Sequence, residues 1–108
     1  MIDSVIAWEN IFGTSEGEPT FRVTACLAKL MRESISERRA LRKELAEIYR
    51  LRSGVVHGSR SIAQPEFAQC ERALEVAIDA VRILVDKRSD LLADGDGASR
   101  SIAVLLAD

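Results

Sequence analysis

Apolar positions in this chain recur every three or four residues, and that period belongs to the α-helix. Ile2, Val5, Ile6, Trp8 and Phe12 make a first short stripe, with Glu9 among them, that stops at Gly13. The stretch GTSEGEP that follows is a loop by its glycines and proline. A second helix is predicted from about Thr20, just after Pro19, with Phe21, Ala25, Leu27, Ala28 and Met31 turned inward. Ser34 with Glu37 three residues later is a capping box, in which side chains satisfy the free backbone donors of a helix start, so a third helix begins there. Its inward stripe is Leu41, Leu45, Ile48 and then position 52, and position 52 is an arginine. Gly54 is the expected end of that helix, since glycine takes a left-handed C-terminal conformation at little cost.

Gln64-Pro65-Glu66 opens the longest pattern, with proline suited to a first turn and an acid complementing the helix dipole. Phe67, Cys70, Leu74, Ala77, Ile78, Val81, Leu84 and Val85 are read as its inward face, and Glu71, Arg72, Glu75, Asp79, Arg82 and Asp86 as its outward one. LLADGDGAS interrupts the run, and a short last helix is expected over about 99–107. Its apolar stretch from Ile102 to Ala107 serves either as a lid on the bundle or as a contact with another subunit. Such stripes with short links predict an all-α fold, an antiparallel bundle of four to five helices. One domain spans 1–108, its core about 4–92.

At 108 residues the chain can bury roughly 65% of its unfolded surface in one core. Only 5% of residues are aromatic, so that core is mostly aliphatic. Cys26 and Cys70 lie 44 positions apart inside helical stretches, which reads as two small reduced core residues rather than a zinc or redox pair. With one histidine and no cysteine cluster, neither a metal nor another cofactor is expected. Nowhere do eighteen apolar residues follow one another, and no basic segment leads into an apolar run at the start, so no membrane association and a cytoplasmic location are expected.

The net charge of −2 argues against non-specific coating of nucleic acid, which rests on many phosphate contacts. The charge is uneven, however. Residues 37–60 hold seven Lys/Arg against three Glu, a local +4 that leaves −6 on the remainder. The only histidine, His57, falls in the same segment.

Arg52 and His57 bracket the short step Ser53-Gly54-Val55-Val56. Each has a structural reading: an arginine near a helix C-terminus favours the exposed carbonyls, and a histidine before glycine serves a turn. In an unbroken helix the pair would be rotated about 140° apart with a rise of about 7.5 Å, off any common face. A break at Gly54 brings them together, giving a group that titrates near neutrality beside a cation that never does. Cleavage of RNA by its own 2′-hydroxyl needs little more, because the substrate supplies the nucleophile and the protein moves protons and stabilises the phosphorane. Full acid–base catalysis uses two proton carriers, which a two-fold homodimer through the Arg52–His57 face supplies.

Arg52 and His57, four residues between them, fit the R-x4-6-H signature of the HEPN superfamily. Together with AWENIF, FRVTACLAKLM and IYRLRSGVVHGS, in that order, the chain resembles the Apea-like HEPN branch from about Ser4 to Leu92. The resemblance implies a bundle of four or five helices, dimerisation through the motif face and metal-independent endoribonuclease activity. It gives Arg52 the arginine role and His57 the histidine role. Arg50, with six residues between it and His57, satisfies the looser spacing but falls off the inward stripe. Glu9 occupies an acidic position of the first helix and is expected to orient Arg52 by a bidentate contact, or else to be an exposed helix acid. Many members carry Asn, Asp or His directly after the arginine; here Ser53 stands there, with a hydroxyl that still hydrogen-bonds a phosphate.

Two functions follow. One is a ribonuclease of a defence or toxin–antitoxin system, with RNA as substrate and an antitoxin or fused domain as partner. The other is a non-catalytic HEPN bundle whose cleft binds a nucleotide or a protein.

Overall fold

A computed structural model describes residues 2–13, 19–56, 67–93 and 96–106, and side chains within 4–13, 20–51, 67–93 and 96–106. Its elements are α1 (Ile2–Phe12), α2 (Pro19–Met31), α3 (Ile35–Val56), α4 (Phe67–Asp86), α5 (Ser89–Leu92) and α6 (Gly97–Leu106). The fold is all-α, as the periodicity predicts, with six helices among the described residues in place of four to five. The addition is α5, a single turn seated by the buried Leu91 in a stretch read as a break. No helix among the described residues is long and apolar enough to cross a membrane.

The capping box forms as expected. The Glu37 N–H donates to Ser34 Oγ at 3.2 Å, and the Ser34 hydroxyl donates to Glu37 Oε1 at 2.8 Å. With α3 started there, Leu41, Leu45 and Ile48 are all buried, joined by Tyr49 and Leu51. Three residues connect α2 to α3, which makes them a helical hairpin. Val5, Trp8 and Phe12 of α1 are fully enclosed with Val23, Cys26 and Leu27 of α2, Leu45 of α3 and Val76 of α4. The core is thus aliphatic around the rings of Trp8, Phe12 and Tyr49.

Helix α4 buries Ala77 and Leu84 as read but is rotated from the face its other large residues suggest. Ala73, Val76, Ala77, Ala80 and Leu84 are buried, whereas Phe67, Leu74, Ile78, Val81 and Val85, read as inward, are exposed. The cause lies in α1. Trp8 and Phe12 fill the space between the helices, so the side of α4 that meets them must be small. The Trp8 indole N–H donates to the Ala73 carbonyl at 3.2 Å, a close approach that an alanine permits. Phe21 of α2 is a second correction, at 54% exposed rather than inward.

The last helix is a lid on the bundle. Ser101 and Val104 are buried against α1 and α2, while Ile102, Leu105 and Leu106 face outward. The Asp96 carboxyl accepts the Ser99 N–H at 2.8 Å and caps the start of α6, and that bond holds the carboxyl below the usual carboxylate range. Arg100 donates from Nε to the Ile11 carbonyl and from Nη2 to the Asn10 carbonyl, both at 2.8 Å, closing the end of α1. Gly97 lies so near α1 that a Cβ there would stand 2.8 Å from the Gly13 carbonyl oxygen. Arg22 Nε donates to Ser101 Oγ at 2.8 Å, and that hydroxyl donates to the Ala98 carbonyl at 2.7 Å.

Candidate functional site

The candidate motif sits at the C-terminal end of α3. The helix carries Arg52 four residues past Ile48, on the predicted stripe, and continues through Gly54 to Val56. Gly54 therefore does not end it, and the bend drawn at that residue is not there. The side chains of Arg52 and Ser53, and all of His57, lie outside the described residues. Arg50 is exposed, as expected for a residue off the stripe.

Glu9 is half-buried on α1 and reaches α3. Its Oε2 accepts the Tyr49 hydroxyl at 2.7 Å. Tyr49 is three residues before Arg52, and residues at that spacing are neighbours on a helix surface. Glu9 thus meets α3 one turn ahead of Arg52, through a tyrosine that sequence reasoning passed over. The signal was present: Tyr49 is the only tyrosine of the chain and stands four residues after the inward Leu45, at the edge of the buried stripe.

The other half of α3 builds a groove of about 570 Å³ with α2 and the end of α6. Phe21, Ala25 and Ala28 of α2, Ile35 of α3 and Leu105 of α6 form its apolar floor. Arg38, Arg39, Arg42 and Lys43 of α3 and Lys29 of α2 rim it, and no acid among the described residues lines it. Four of the seven cations in the basic segment therefore converge on one concave surface. The Arg42 guanidinium lies 5.5 Å from the centroid of the Phe21 ring. This cation–π contact explains why an aromatic ring is left so open to water. Lys29 Nζ donates to the Leu105 carbonyl at 3.2 Å, and Arg38 Nε to the Arg32 carbonyl at 2.8 Å, so two of the five cations are braced by backbone. A rim of fixed positive charge over an apolar floor attracts anions that carry a flat or aliphatic part.

Cys26 is a buried free thiol whose Sγ lies 3.6 Å from the Ser101 carbonyl oxygen. Burial pushes its pKa up to about 12, against the pull of Arg22 and Lys29. It is a packing residue, unsuited to nucleophilic work. Cys70 is free and half-buried. Among the described residues, no three His, Cys, Asp or Glu side chains gather to hold a metal ion.

Compared with family models, curated proteins and solved structures, the chain finds no match in any of the three.

Proposed function

We propose that the chain is a metal-independent endoribonuclease of HEPN type, acting as a cytoplasmic homodimer in a defence or toxin–antitoxin setting. His57 takes the proton of the ribose 2′-hydroxyl or returns one to the leaving 5′-oxygen, and Arg52 stabilises the charge of the pentavalent phosphate. The 2′-oxygen forms the new P–O bond as the 5′-oxygen leaves, giving a 2′,3′-cyclic phosphate and a 5′-hydroxyl. DNA, without the 2′-hydroxyl, resists. A second copy supplies the second proton carrier.

The observation that carries the reading is the division of labour along α3. Its first half rims a basic groove lined by no acid among the described residues, and its last turns carry Arg52, separated by four residues from the only histidine. A polyanion held by the first is a substrate for the second. Glu9 and Tyr49 support the turn between the two halves.

One observation favours a non-catalytic module that binds a nucleotide or a protein: α3 runs straight through Gly54. Incubation with single-stranded RNA in excess chelator separates the readings. Wild type yields cyclic phosphate ends, and His57→Ala and Arg52→Ala do not; RNA left whole by wild type, or cut equally by all three, overturns the catalytic reading.

A further inference from the structure

The groove between α2 and α3 holds more apolar surface than a strand of RNA uses. Its cations suit phosphates and the Phe21 ring suits a base, but Ala25, Ala28, Ile35 and Leu105 prolong the floor as an aliphatic trough. Ile35 at its wall is 68% exposed and Phe21 at its mouth 54%. From Phe21 to Ala28 is seven residues, about 10.5 Å along α2. The two alanines stand among the larger Phe21, Ile35 and Leu105, and their small side chains leave the trough its depth.

The two ends differ in charge. At the Leu105 end, Lys29 and Arg38 are braced by the carbonyls of Leu105 and Arg32. Toward the Phe21 end stand Arg39, Arg42 and Lys43, three and four residues apart, which makes them mutually repulsive neighbours on one face of α3. Among the described residues none of these three is ion-paired, and Arg42 has only the Phe21 ring. Like charges gathered without an acid, beside apolar side chains left in water, are complementary to an anionic head on an apolar tail. The head lies against Arg39, Arg42 and Lys43, and the tail runs over Ala25 and Ala28 toward Leu105.

Size decides the class of occupant. The volume of about 570 Å³ falls within the roughly 300–1,000 Å³ of small-molecule sites. Two helical turns of floor are too few for a protein partner, whose interface takes about 20–30 residues a side.

We propose that the trough binds a single-chain aliphatic anion, a carboxylate or phosphate on a tail of about eight to ten carbons at roughly 1.2 Å per extended bond. Its head covers three cations of the RNA path, so the amphiphile competes with RNA. That consequence alone rests on the proposed function.

Isothermal titration calorimetry, with each probe below its micelle concentration, tests the site. Decyl phosphate binds wild type one to one, and each methylene added from hexyl to decyl phosphate tightens binding about two- to fourfold, fourfold being complete burial. Decanoate binds more weakly than decyl phosphate because its head carries less charge, which separates a fatty acid from an alkyl phosphate as the preferred source. Decanol, without charge, binds at least about tenfold more weakly than decyl phosphate. Ala25→Leu fills the trough and abolishes the dependence on tail length. Ile35→Ser, at an exposed position that keeps the wild-type circular dichroism, weakens decyl phosphate about fivefold. Replacing Arg39, Arg42 and Lys43 by alanine weakens both anions about tenfold and leaves decanol unchanged. No saturable binding, an affinity indifferent to tail length, decanol bound like the anions, or Ala25→Leu and Ile35→Ser both binding like wild type overturns the proposal. So does attachment to phosphatidylglycerol vesicles without binding of monomeric decyl phosphate. In His57→Ala protein carrying single-stranded RNA, decyl phosphate displaces the strand; RNA that stays bound at saturating decyl phosphate overturns the competition. The titration contains no RNA and reads no cleavage, so a failed ribonuclease assay and an empty trough are read separately.

Discussion

Tyr49 of α3 and Glu9 of α1 are hydrogen-bonded, hydroxyl to carboxyl oxygen at 2.7 Å, across forty positions of sequence. The bond crosses the boundary of the core, since Tyr49 is 6% exposed and Glu9 half-buried, and it fixes the turn of α3 that precedes Arg52. Tyr49→Phe keeps the ring and removes the donor. It is expected to lower stability by roughly 1–2 kcal/mol in urea titration, the range for a hydrogen bond whose acceptor stays partly enclosed. If Tyr49 positions Arg52 for RNA, the same variant lowers kcat for cleavage with little change in KM. A Tyr49→Phe as stable and active as wild type, with loss only in Tyr49→Ala, would show that packing of the ring, and not the bond, is what matters.

The register of α6 on α1 depends on a residue without a side chain. A Cβ at Gly97 would meet the Gly13 carbonyl oxygen at 2.8 Å and the Gly13 nitrogen at 2.9 Å, both backbone atoms that cannot swing aside. Gly97→Ala is therefore expected to destabilise by about 1–3 kcal/mol, as overpacking does, although alanine is the better helix former. A rise in melting temperature would show that α6 can slide away from α1 at no cost.

The elements that read correctly from sequence are those whose signal is local. Ser34 and Glu37 announce the start of α3 because a capping box is completed within four residues, and Leu41, Leu45 and Ile48 follow from the period alone. The face of α4 was legible only in part: Ala77 and Leu84 are buried as read, and Leu74, Ile78, Val81 and Val85 are not. Two rows share that helix, one small and one large, and only the bulk of Trp8 and Phe12, some sixty positions away, decides which row is buried. Phe21 was misplaced for a related reason, because its exposure is offset by Arg42 on another helix. At the candidate site, the helical continuation to position 52 was legible, and the continuation of α3 through Gly54 was not, since a glycine permits a helix end without imposing one.

The groove makes a quantitative claim about salt. Arg39, Arg42 and Lys43 rim it together, and each cation that neutralises a phosphate releases a counterion from a single strand. Binding of single-stranded RNA by His57→Ala protein, followed by fluorescence anisotropy, is expected to weaken with rising salt. Replacing all three cations by alanine should make the log–log slope shallower by about 2. Phe21→Ala is expected to weaken binding with the slope unchanged, because stacking releases no ions. Unchanged slopes in the triple variant would remove the groove from the RNA path.

The buried thiol of Cys26 sets how the fold responds to alkali. Its pKa rises from 9.0 to about 12 on folding because burial penalises the thiolate. The unfolded chain therefore loses this proton first, and between those two values it binds fewer protons than the folded chain. Stability contributed by the group is whole below pH 9 and falls as pH climbs toward 12. The slope attributable to one such group is at most about 1.4 kcal/mol per pH unit. Cys26→Ala removes the titration but leaves a small cavity, so it should be less stable than wild type at pH 7, with a shallower decline between pH 9 and 10.5, measured by urea titration at each pH. A thiol reagent at pH 8 is expected to label Cys70 in the native protein and to reach Cys26 only in denaturant. Rapid native labelling of both would mean that α6 opens from α2 far more readily than the enclosed packing of Cys26 and Ser101 allows.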